Sequence, residues 1–216
     1  MSEFAVIGLG RFGRSVARSL VREGQAVLAI DLDPTRLEQV DDEVDATSRA
    51  DTTDEQAMAA LRLDRMSCVV VSIGSRATEA SLLTVAILRE LGVPRIVARS
   101  FDERHARLLL AIGANEVINP EVDMGARLAW RLARPGILDQ FDLGDARVAE
   151  VEAPESLVGS SLAELDLGGR RQLAVLLLRR GHEVRANPGP QERIESGDVL
   201  VLLGSERAIA DLAALK

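Results

Sequence analysis

The sequence predicts an α/β fold: a Rossmann-type, doubly wound parallel sheet followed by a small α+β C-terminal module. Apolar, β-branched runs alternate with helical patterns over the first two-thirds of the 216 residues. Continuous apolar strands of this kind are typical of a parallel sheet covered on both faces. The first run ends in the glycine-rich stretch GLGRFG, and near Leu143 the pattern changes to short strands separated by turn residues.

Six strands are predicted in the N-terminal domain. In order they are FAVIGL, AVLAID, the start of DATSRADTTDEQAMAAL, SCVVVSIG, RIVARS and NEVINP. In the first helix, apolar residues recur every fourth position until Gly24, a plausible stop. Pro34 is placed to open the second helix, and further helices are predicted over about 78–91 and over 103–112.

The segment EVDMGARLAWRLARPGILDQFDL predicts a helix with two apolar stripes. At about 100° per residue, Met124, Leu128 and Leu132 form one stripe. A second stripe on nearly the opposite side comprises Ala126, Trp130, Ala133 and Ile137. A helix exposed on one face needs only one stripe, so this one is expected to be held on both sides, by two domains of one chain or by its own domain and another molecule.

Pro135-Gly136 then interrupts this helix and marks a hinge. The predicted organisation is an N-terminal nucleotide-binding domain over 1–122, a crossover helix and hinge over 123–142, and a C-terminal module over 143–216. In that module the predicted strands are ARVAEVEA, LAVLLLRR, HEVRAN and DVLVLLG, and the predicted helices are SLVGSSLAELDL and SERAIADLAALK.

Composition excludes several classes of function. The net charge is −8 and no basic block is present, which disfavours a nucleic-acid partner. No apolar run is long enough for a membrane span, and no basic leader precedes the first strand, so neither lipid insertion nor secretion is expected. The single cysteine, Cys68, cannot form an internal disulfide, and the cytoplasm is the simplest compartment.

The glycine-rich loop predicts a nucleotide site. Gly8, Gly10 and Gly13 give G-x-G-x-x-G between the first strand and the first helix. In this pattern the glycines permit a tight turn, close approach to a pyrophosphate and helix–sheet packing. Asp31 ends the second strand 18 residues after Gly13, where a carboxylate accepts ribose hydroxyls and repels a 2′-phosphate.

Other residues at the strand ends complete the predicted site. Asp33 is expected either to share the ribose or to cap the helix that begins at Pro34. Asp51 and Thr52 are candidates for contacts to the base or ribose. The fourth strand ends in further candidates, of which Gly74 could equally be an ordinary turn residue: Ser72, Ile73 and Gly74.

Two residues of the loop itself belong to the predicted site, Arg11 and Phe12. Arg11 follows the second glycine and points to a third phosphate or to a ligand held by a neighbouring molecule, unless it is a solvated surface arginine.

Groups needed for catalysis are scarce. The two histidines, His105 and His182, follow no strand end of the first domain, the chain has no tyrosine, and its one lysine is Lys216. No Walker lysine follows the glycines. A non-catalytic sensor is therefore preferred. The alternative is an NAD(H)-binding redox sensor or small oxidoreductase, because Asp31 accepts the ribose of NAD as readily as that of ATP.

Across its whole length the chain resembles the cytosolic RCK (KTN) regulatory subunits of Ktr- and Trk-type bacterial potassium uptake systems, most closely the Ktr type. The resemblance rests on FAVIGLGRFG, LAIDLD, VVVSIG, LGVPRIVARS and IGANEVINPEVDMG. It implies dimers assembled into an octameric ring beneath a membrane-embedded potassium channel subunit, with ATP and ADP favouring different ring shapes. It also implies that the crossover helix packs on a neighbouring subunit.

The resemblance also implies residue roles. Asp31 and Asp33 fall at the ribose positions, and Arg11 at an arginine that approaches the γ-phosphate across the dimer. Arg99 matches a basic position near the phosphates, and Glu121 a carboxylate that binds a cation such as Mg²⁺ or Ca²⁺ beside the nucleotide. Glu121 could otherwise be a solvated loop carboxylate. Some relatives bind cyclic di-AMP in the C-terminal module, but the segment before its second strand departs from theirs, and that site is not carried over.

Overall fold

The computed structural model describes residues 3–74, 77–134 and 136–215. These fall into two units, residues 1–121 and residues 122–216. Each unit has its own sheet and its own buried apolar side chains, in two clusters in the first unit and one in the second. Pro135 of the predicted hinge lies outside the described residues.

The first unit contains a six-stranded parallel sheet with the order β3-β2-β1-β4-β5-β6. The order reverses between β1 and β4, and the crevice at the carboxyl ends of these two strands is where such sheets bind ligands. The predicted Rossmann-type fold is confirmed. The strands are β1 (Glu3–Ile7), β2 (Ala26–Asp31), β3 (Ala46–Arg49), β4 (Cys68–Val71), β5 (Ile96–Arg99) and β6 (Glu116–Ile118).

Helices cover both faces of this sheet, and one buried cluster lies on each face. Aspartates open several of the helices, because their carboxylates accept hydrogen bonds from N–H groups that the helix leaves free. Asp33, Asp54 and Asp102 are examples. The helices are α1 (Arg11–Arg22), α2 (Pro34–Glu38), α3 (Glu55–Ala60), α4 (Thr78–Glu90) and α5 (Glu103–Ile112).

Helix α6 (Pro120–Ala133) begins in the first unit and ends in the second. Of its two predicted stripes, Met124, Leu128 and Leu132 are exposed by 44–71%. On the other side, Trp130 packs against the core of the second unit, and its indole N–H donates to Glu206 at 3.2 Å. In the second stripe, Trp130 is partly buried, whereas Ala126 and Ala133 are exposed; the first stripe lies open.

The second unit contains a five-stranded antiparallel sheet with the order β10-β9-β11-β8-β7. The strands are β7 (Ile137–Asp142), β8 (Arg147–Glu152), β9 (Ala174–Arg180), β10 (Glu183–Ala186) and β11 (Val199–Gly204). Residues 137–142, which the sequence assigned to the hinge, thus form a sheet strand. The side chain of Ile137 is the reason: it is 3% exposed, lies in the core of this unit and pairs with Val151.

The helix predicted for SLVGSSLAELDL is wrong in its extent. A short 3-10 turn is followed by α7 (Leu162–Leu165) and α8 (Leu167–Arg171), and α9 (Glu206–Ala213) ends the unit. Gly159 has a φ of +85°, which stops the first turn, and Ser161 with Glu164 forms a capping box that starts α7 anew. Asp166, at a φ of 44°, separates α7 from α8.

Candidate functional site

A cavity of about 490 Å³ lies at the carboxyl ends of β1 to β5, at the point where the strand order reverses. Most of the predicted site residues line it together: Gly8, Gly10, Asp31, Asp51, Thr52, Ser72, Ile73, Gly74 and Arg99. Five others do not line it: Arg11, Phe12, Gly13, Asp33 and Glu121.

Each glycine of the loop has a separate steric role. Gly8 has a φ of +86°, and a Cβ there would lie 2.7 Å from the Ser72 carbonyl oxygen. A Cβ on Gly13 would lie 2.0 Å from the Gly8 carbonyl oxygen, so this glycine seats α1 against the loop. A Cβ on Gly10 would meet no atom within 4 Å. The surface at Gly10 is therefore open to a ligand, and its backbone begins α1, where free N–H groups favour phosphate.

Asp31 holds the glycine loop and the turn after β2 in place. Its carboxylate is 7% exposed and accepts the Leu9 N–H at 2.6 Å and the Asp33 N–H at 2.9 Å. Arg36 Nη1 lies 3.5 Å from the same carboxylate. A carboxylate has about four acceptor positions, so capacity for ribose hydroxyls remains.

Asp33 and Asp51 are both engaged by a threonine two residues later. Asp33 accepts the hydroxyl and N–H of Thr35, and these hydrogen bonds lower the pKa of Asp33. Asp51 accepts the hydroxyl and N–H of Thr53, which lowers the pKa of Asp51 in the same way. Of the two roles predicted for Asp33, the structure shows the helix cap, whereas Asp51 faces the cavity as an ionised acceptor.

Two buried hydroxyls lie at the floor of the cavity. The Thr52 hydroxyl is 2.8 Å from that of Thr84 on α4, so it is bound within the core. Ser72 is 3% exposed, and its Oγ has no hydrogen-bond partner among the residues described. A buried hydroxyl without a partner is costly, so Ser72 is the more available of the two to a bound molecule.

Arg99, at the end of β5, connects the cavity to two predicted residues that do not line it. Its guanidinium lies over the Phe12 ring, 5.7 Å from the centroid. Arg99 Nη2 also forms an ion pair with Glu121 Oε1 in the first turn of α6. An anion that binds Arg99 therefore competes with Glu121.

Arg11 lies elsewhere. It lines a separate surface depression along α1, together with Arg14 and Arg18. This position does not support contact with a phosphate in the cavity of the same chain, and it leaves the predicted contact with a neighbouring molecule's ligand open.

Seven residues that line the cavity were not predicted from the sequence: Ile7, Leu32, Arg36, Ala50, Thr53, Ala77 and Ala80. Leu32 is 57% exposed directly after the strand that ends in Asp31, and Arg36 lies five residues after that aspartate. An apolar residue at a strand end and a cation near a predicted ribose site are signals that could have identified both.

The histidines and the carboxylates form no further centre in the described part of the chain. His105 is 1% exposed in α5 and stacks on Phe101 at 4.2 Å between centroids; burial lowers the pKa of His105. His182 lies in the turn between β9 and β10. No group of three His, Cys, Asp or Glu side chains suited to a metal occurs within residues 3–74, 77–134 and 136–215.

Among the helices of those same ranges, none has both the length and the apolarity required to cross a bilayer.

The reversal of strand order, the glycine loop and the acid at the end of β2 define a class: proteins with a Rossmann-type nucleotide crevice, here joined to an antiparallel-sheet module. The TrkA-N domain model matches residues 4–120, and the TrkA-C domain model matches residues 147–216. The chain belongs to the RCK family of potassium uptake proteins that carry these two domains, which confirms the resemblance seen in the sequence.

Curated relatives match over nearly their full length. The chain is 35% identical over 204 residues to Ktr system potassium uptake protein C of Bacillus subtilis, covering 94% of this chain and 92% of the relative. It is 34% identical over 210 residues to Ktr system potassium uptake protein A of Vibrio alginolyticus, covering 97% and 95%.

Among solved structures, the GsuK channel matches 99% of this chain with a TM-score of 0.71 at 17% identity. The GsuK channel bound to NAD matches the same share with a TM-score of 0.69 at 16% identity. This chain spans 39% of each of those chains, and the likeness concerns the fold.

Proposed function

We propose that the chain is the nucleotide-sensing gating subunit of a potassium uptake system. Binding of ATP or ADP shifts a ring of these subunits between two states and so regulates potassium uptake through a membrane-embedded channel subunit. The observation that carries this proposal is the cavity at the reversal of strand order, in a chain that covers 92% of a Ktr system potassium uptake protein. The subunit is cytoplasmic and reaches the inner face of the membrane through its partner.

The chemistry of the cavity supports a nucleotide as its ligand. Asp31 accepts ribose hydroxyls, the open backbone at Gly10 receives the phosphates, and Arg99 neutralises their charge. Leu32 and Ile73 offer apolar surface to a base, while Asp51 is an acceptor at the cavity wall.

A cation beside the nucleotide is part of the same proposal. Within one chain Glu121 is paired with Arg99 and, among the described residues, belongs to no group of three side chains that could hold a metal ion. A hard cation such as Mg²⁺ or Ca²⁺ requires several oxygen ligands, so the phosphates or a second subunit must supply the others. When phosphates draw Arg99 away, Glu121 becomes free to act as one oxygen ligand.

Oligomerisation follows from two features. The stripe of Met124, Leu128 and Leu132 on α6 is exposed in the single chain, and such a stripe supports packing on a neighbouring subunit. Arg11 lies outside its own cavity, which fits a contact with the γ-phosphate of a neighbour's ligand. Dimers of this kind, four to a ring, give the octamer that the family resemblance implies.

A sensor does not require catalysis, and we infer that this chain is not an enzyme. Its function needs only that ATP and ADP bind the two ring states with different affinities. The third phosphate, met by Arg11, is the source of that difference.

The test is calorimetry with the Arg11→Ala variant. We expect ATP to bind several-fold more weakly while ADP affinity is nearly unchanged, because only ATP carries the third phosphate. Arg104→Ala, at an exposed position of α5 outside the cavity, is the matched control and should leave both affinities as they are. Equal losses for ATP and ADP in Arg11→Ala contradict the proposed role of Arg11.

The second candidate is an NAD(H)-responsive sensor or small oxidoreductase. Asp31 suits NAD(H) as well as ATP, because both ligands present a ribose with free hydroxyls. Titration of the purified protein with ATP, ADP, NAD⁺ and NADH separates the two. Tighter binding of NADH than of either ATP or ADP would replace the first proposal by the second.

A further inference from the structure

Helix α1 carries an arginine stripe, formed by Arg11, Arg14, Arg18 and Arg22. Their spacing of three, four and four residues places the side chains on one side of the helix. The stripe lines a surface depression of about 860 Å³ that is separate from the nucleotide cavity. A concentration of four guanidinium groups is unexpected in a chain whose net charge is −8.

Most of this charge is not neutralised within the chain. Arg18 forms an ion pair with Glu43 and also donates to the Gln39 carbonyl oxygen at 3.2 Å. Arg22 donates to the Ser19 hydroxyl. Among the described residues, no carboxylate forms an ion pair with Arg11, Arg14 or Arg22.

The stripe does not serve the helix itself. Like charges three and four residues apart repel one another and weaken a helix. The first turn of α1 contains no acidic residue, and Arg11 there opposes the helix dipole. Arg22 lies in the last turn, where a cation suits the helix dipole. Neither the stability of α1 nor the nucleotide cavity accounts for Arg14, whereas an anionic partner would account for the stripe as a whole.

An acidic turn borders the stripe on the same surface. It is the short 3-10 turn Asp41–Glu43, whose three side chains are exposed. Glu43 lines the same depression as the arginines and already holds Arg18. A surface with a basic stripe beside an acidic turn is complementary to a copy of itself, because a two-fold axis brings each stripe to the partner's turn.

We propose that the arginine stripe of one subunit docks on the acidic turn of a second copy of the chain, and reciprocally. This inference rests on the proposed homo-oligomer and specifies one of its interfaces. It also brings Arg11, the first member of the stripe, to the subunit boundary, where its proposed contact with a neighbour's ligand requires it to be. Opposite charges across such an interface fix its register and make association sensitive to salt.

Charge reversal tests the inference. The variant Arg14→Glu/Arg22→Glu makes the stripe acidic without touching Arg11, and Asp41→Arg/Asp42→Arg makes the turn basic. Sedimentation velocity should show that each variant alone self-associates about tenfold or more weakly than the wild type at low salt. Combining all four substitutions in one chain, or mixing the two variants in equal amounts, should restore association, because opposite charges again face each other.

The control is Arg104→Glu/Arg107→Glu on exposed positions of α5, which changes the net charge by the same amount. It should associate as the wild type does. If Arg14→Glu/Arg22→Glu does not fold, Arg14→Gln/Arg22→Gln gives the same comparison with a smaller loss.

Two outcomes overturn the inference and are distinguishable. The first outcome is that the wild type assembles and the stripe variant either assembles equally well or is not rescued by the basic turn. That result refutes this interface and leaves the proposed sensor in place. A wild type that stays monomeric at all concentrations, with and without ATP, refutes the proposed ring as well.

Discussion

Gly10→Ala should weaken nucleotide binding while leaving the fold intact. Gly10 has a φ of −64° and a ψ of −173°, which alanine adopts without strain. The new methyl group would meet no protein atom within 4 Å. It would instead occupy the space at the cavity wall through which phosphate oxygens approach the N–H groups at the start of α1.

The stability change is small because two effects oppose each other. Alanine is a poorer N-cap than glycine by about 0.5 kcal/mol or slightly more. It also restricts the unfolded chain, which stabilises the fold by about 0.4–1 kcal/mol. The net change is therefore within about 0.5 kcal/mol, or roughly 2 °C in melting temperature. Because the methyl group keeps the phosphates away from these N–H groups, the affinity for ATP and for ADP should fall at least about tenfold, equivalent to about 1.4 kcal/mol of binding free energy.

Gly13→Ala is the contrasting variant. Its methyl group would lie 2.0 Å from the Gly8 carbonyl oxygen, whereas a comfortable carbon–oxygen contact is about 3.3 Å, so the loop must move by about 1.3 Å. Overpacking of this kind costs about 1–3 kcal/mol, against about 1 kcal/mol gained in helix propensity. Gly13→Ala should therefore lose both stability and binding.

The assay pairs chemical denaturation with calorimetry on the wild type and both variants. Gly10→Ala should match the wild type in denaturation midpoint and bind ATP and ADP at least about tenfold more weakly in calorimetry. Gly13→Ala should have both a lower midpoint and a weaker affinity. If Gly10→Ala binds ATP with wild-type affinity, the phosphates do not pass Gly10, and the placement of the nucleotide is refuted.

Two further predictions concern protonation and stability. Hydrogen bonds from Arg180 lower the pKa of the fully buried Asp198. This pair therefore stabilises the second unit above about pH 4, and the stabilisation is lost as the pH falls through the lowered pKa. Asp198→Asn should lower the free energy of unfolding in urea by about 2–3 kcal/mol at pH 7 and reduce the dependence of stability on acid pH. Burial lowers the pKa of His105, so the unfolded chain takes up a proton near pH 6.5 that the folded chain resists, and stability should fall between pH 7 and pH 5. His105→Leu should remove that fall, and unchanged pH dependence in this variant would show that another group is responsible.

Most of the first sheet could be predicted from the sequence because its strands are apolar runs bounded by glycine, proline or a helical pattern. The exception is β3, whose residues are Ala-Thr-Ser-Arg, and only the alternation of strands and helices indicated it. The second unit was harder. The strand over 137–142 has apolar residues at irregular positions, and its pairing with β8 shifts register between Ile137 and Asp139. Neither a period of two nor a buried run is visible there. Its place in the sheet depends on partners distant in the chain.

The candidate site likewise contains residues that a local sequence pattern predicts and residues whose contacts depend on distant parts of the chain. Gly8, Gly10 and Asp31 follow from a local pattern, since the turn, the helix start and the strand end are consecutive in the chain. Arg99 contacts Phe12 and Glu121, which joins the end of β5 to α1 and α6. No local pattern in the sequence indicates these contacts, because the three residues are far apart in the chain. Arg11 is the instructive case, because its place in the motif suggested a third phosphate or a neighbour's ligand. Its side chain lines a surface depression along α1, outside the cavity of its own chain.

Arg99 also indicates how the effect of nucleotide binding is transmitted beyond the cavity in the proposed sensor. It lines the cavity, packs on the loop through Phe12, and holds Glu121 at the start of the helix that continues into the second unit. A phosphate that draws Arg99 toward the cavity weakens its ion pair with Glu121. A ligand shifts a conformational equilibrium only by its difference in affinity for the two states. When a phosphate replaces Glu121 as the partner of Arg99, the ligand binds one state better than the other. The change reaches α6, because Glu121 lies in the first turn of that helix.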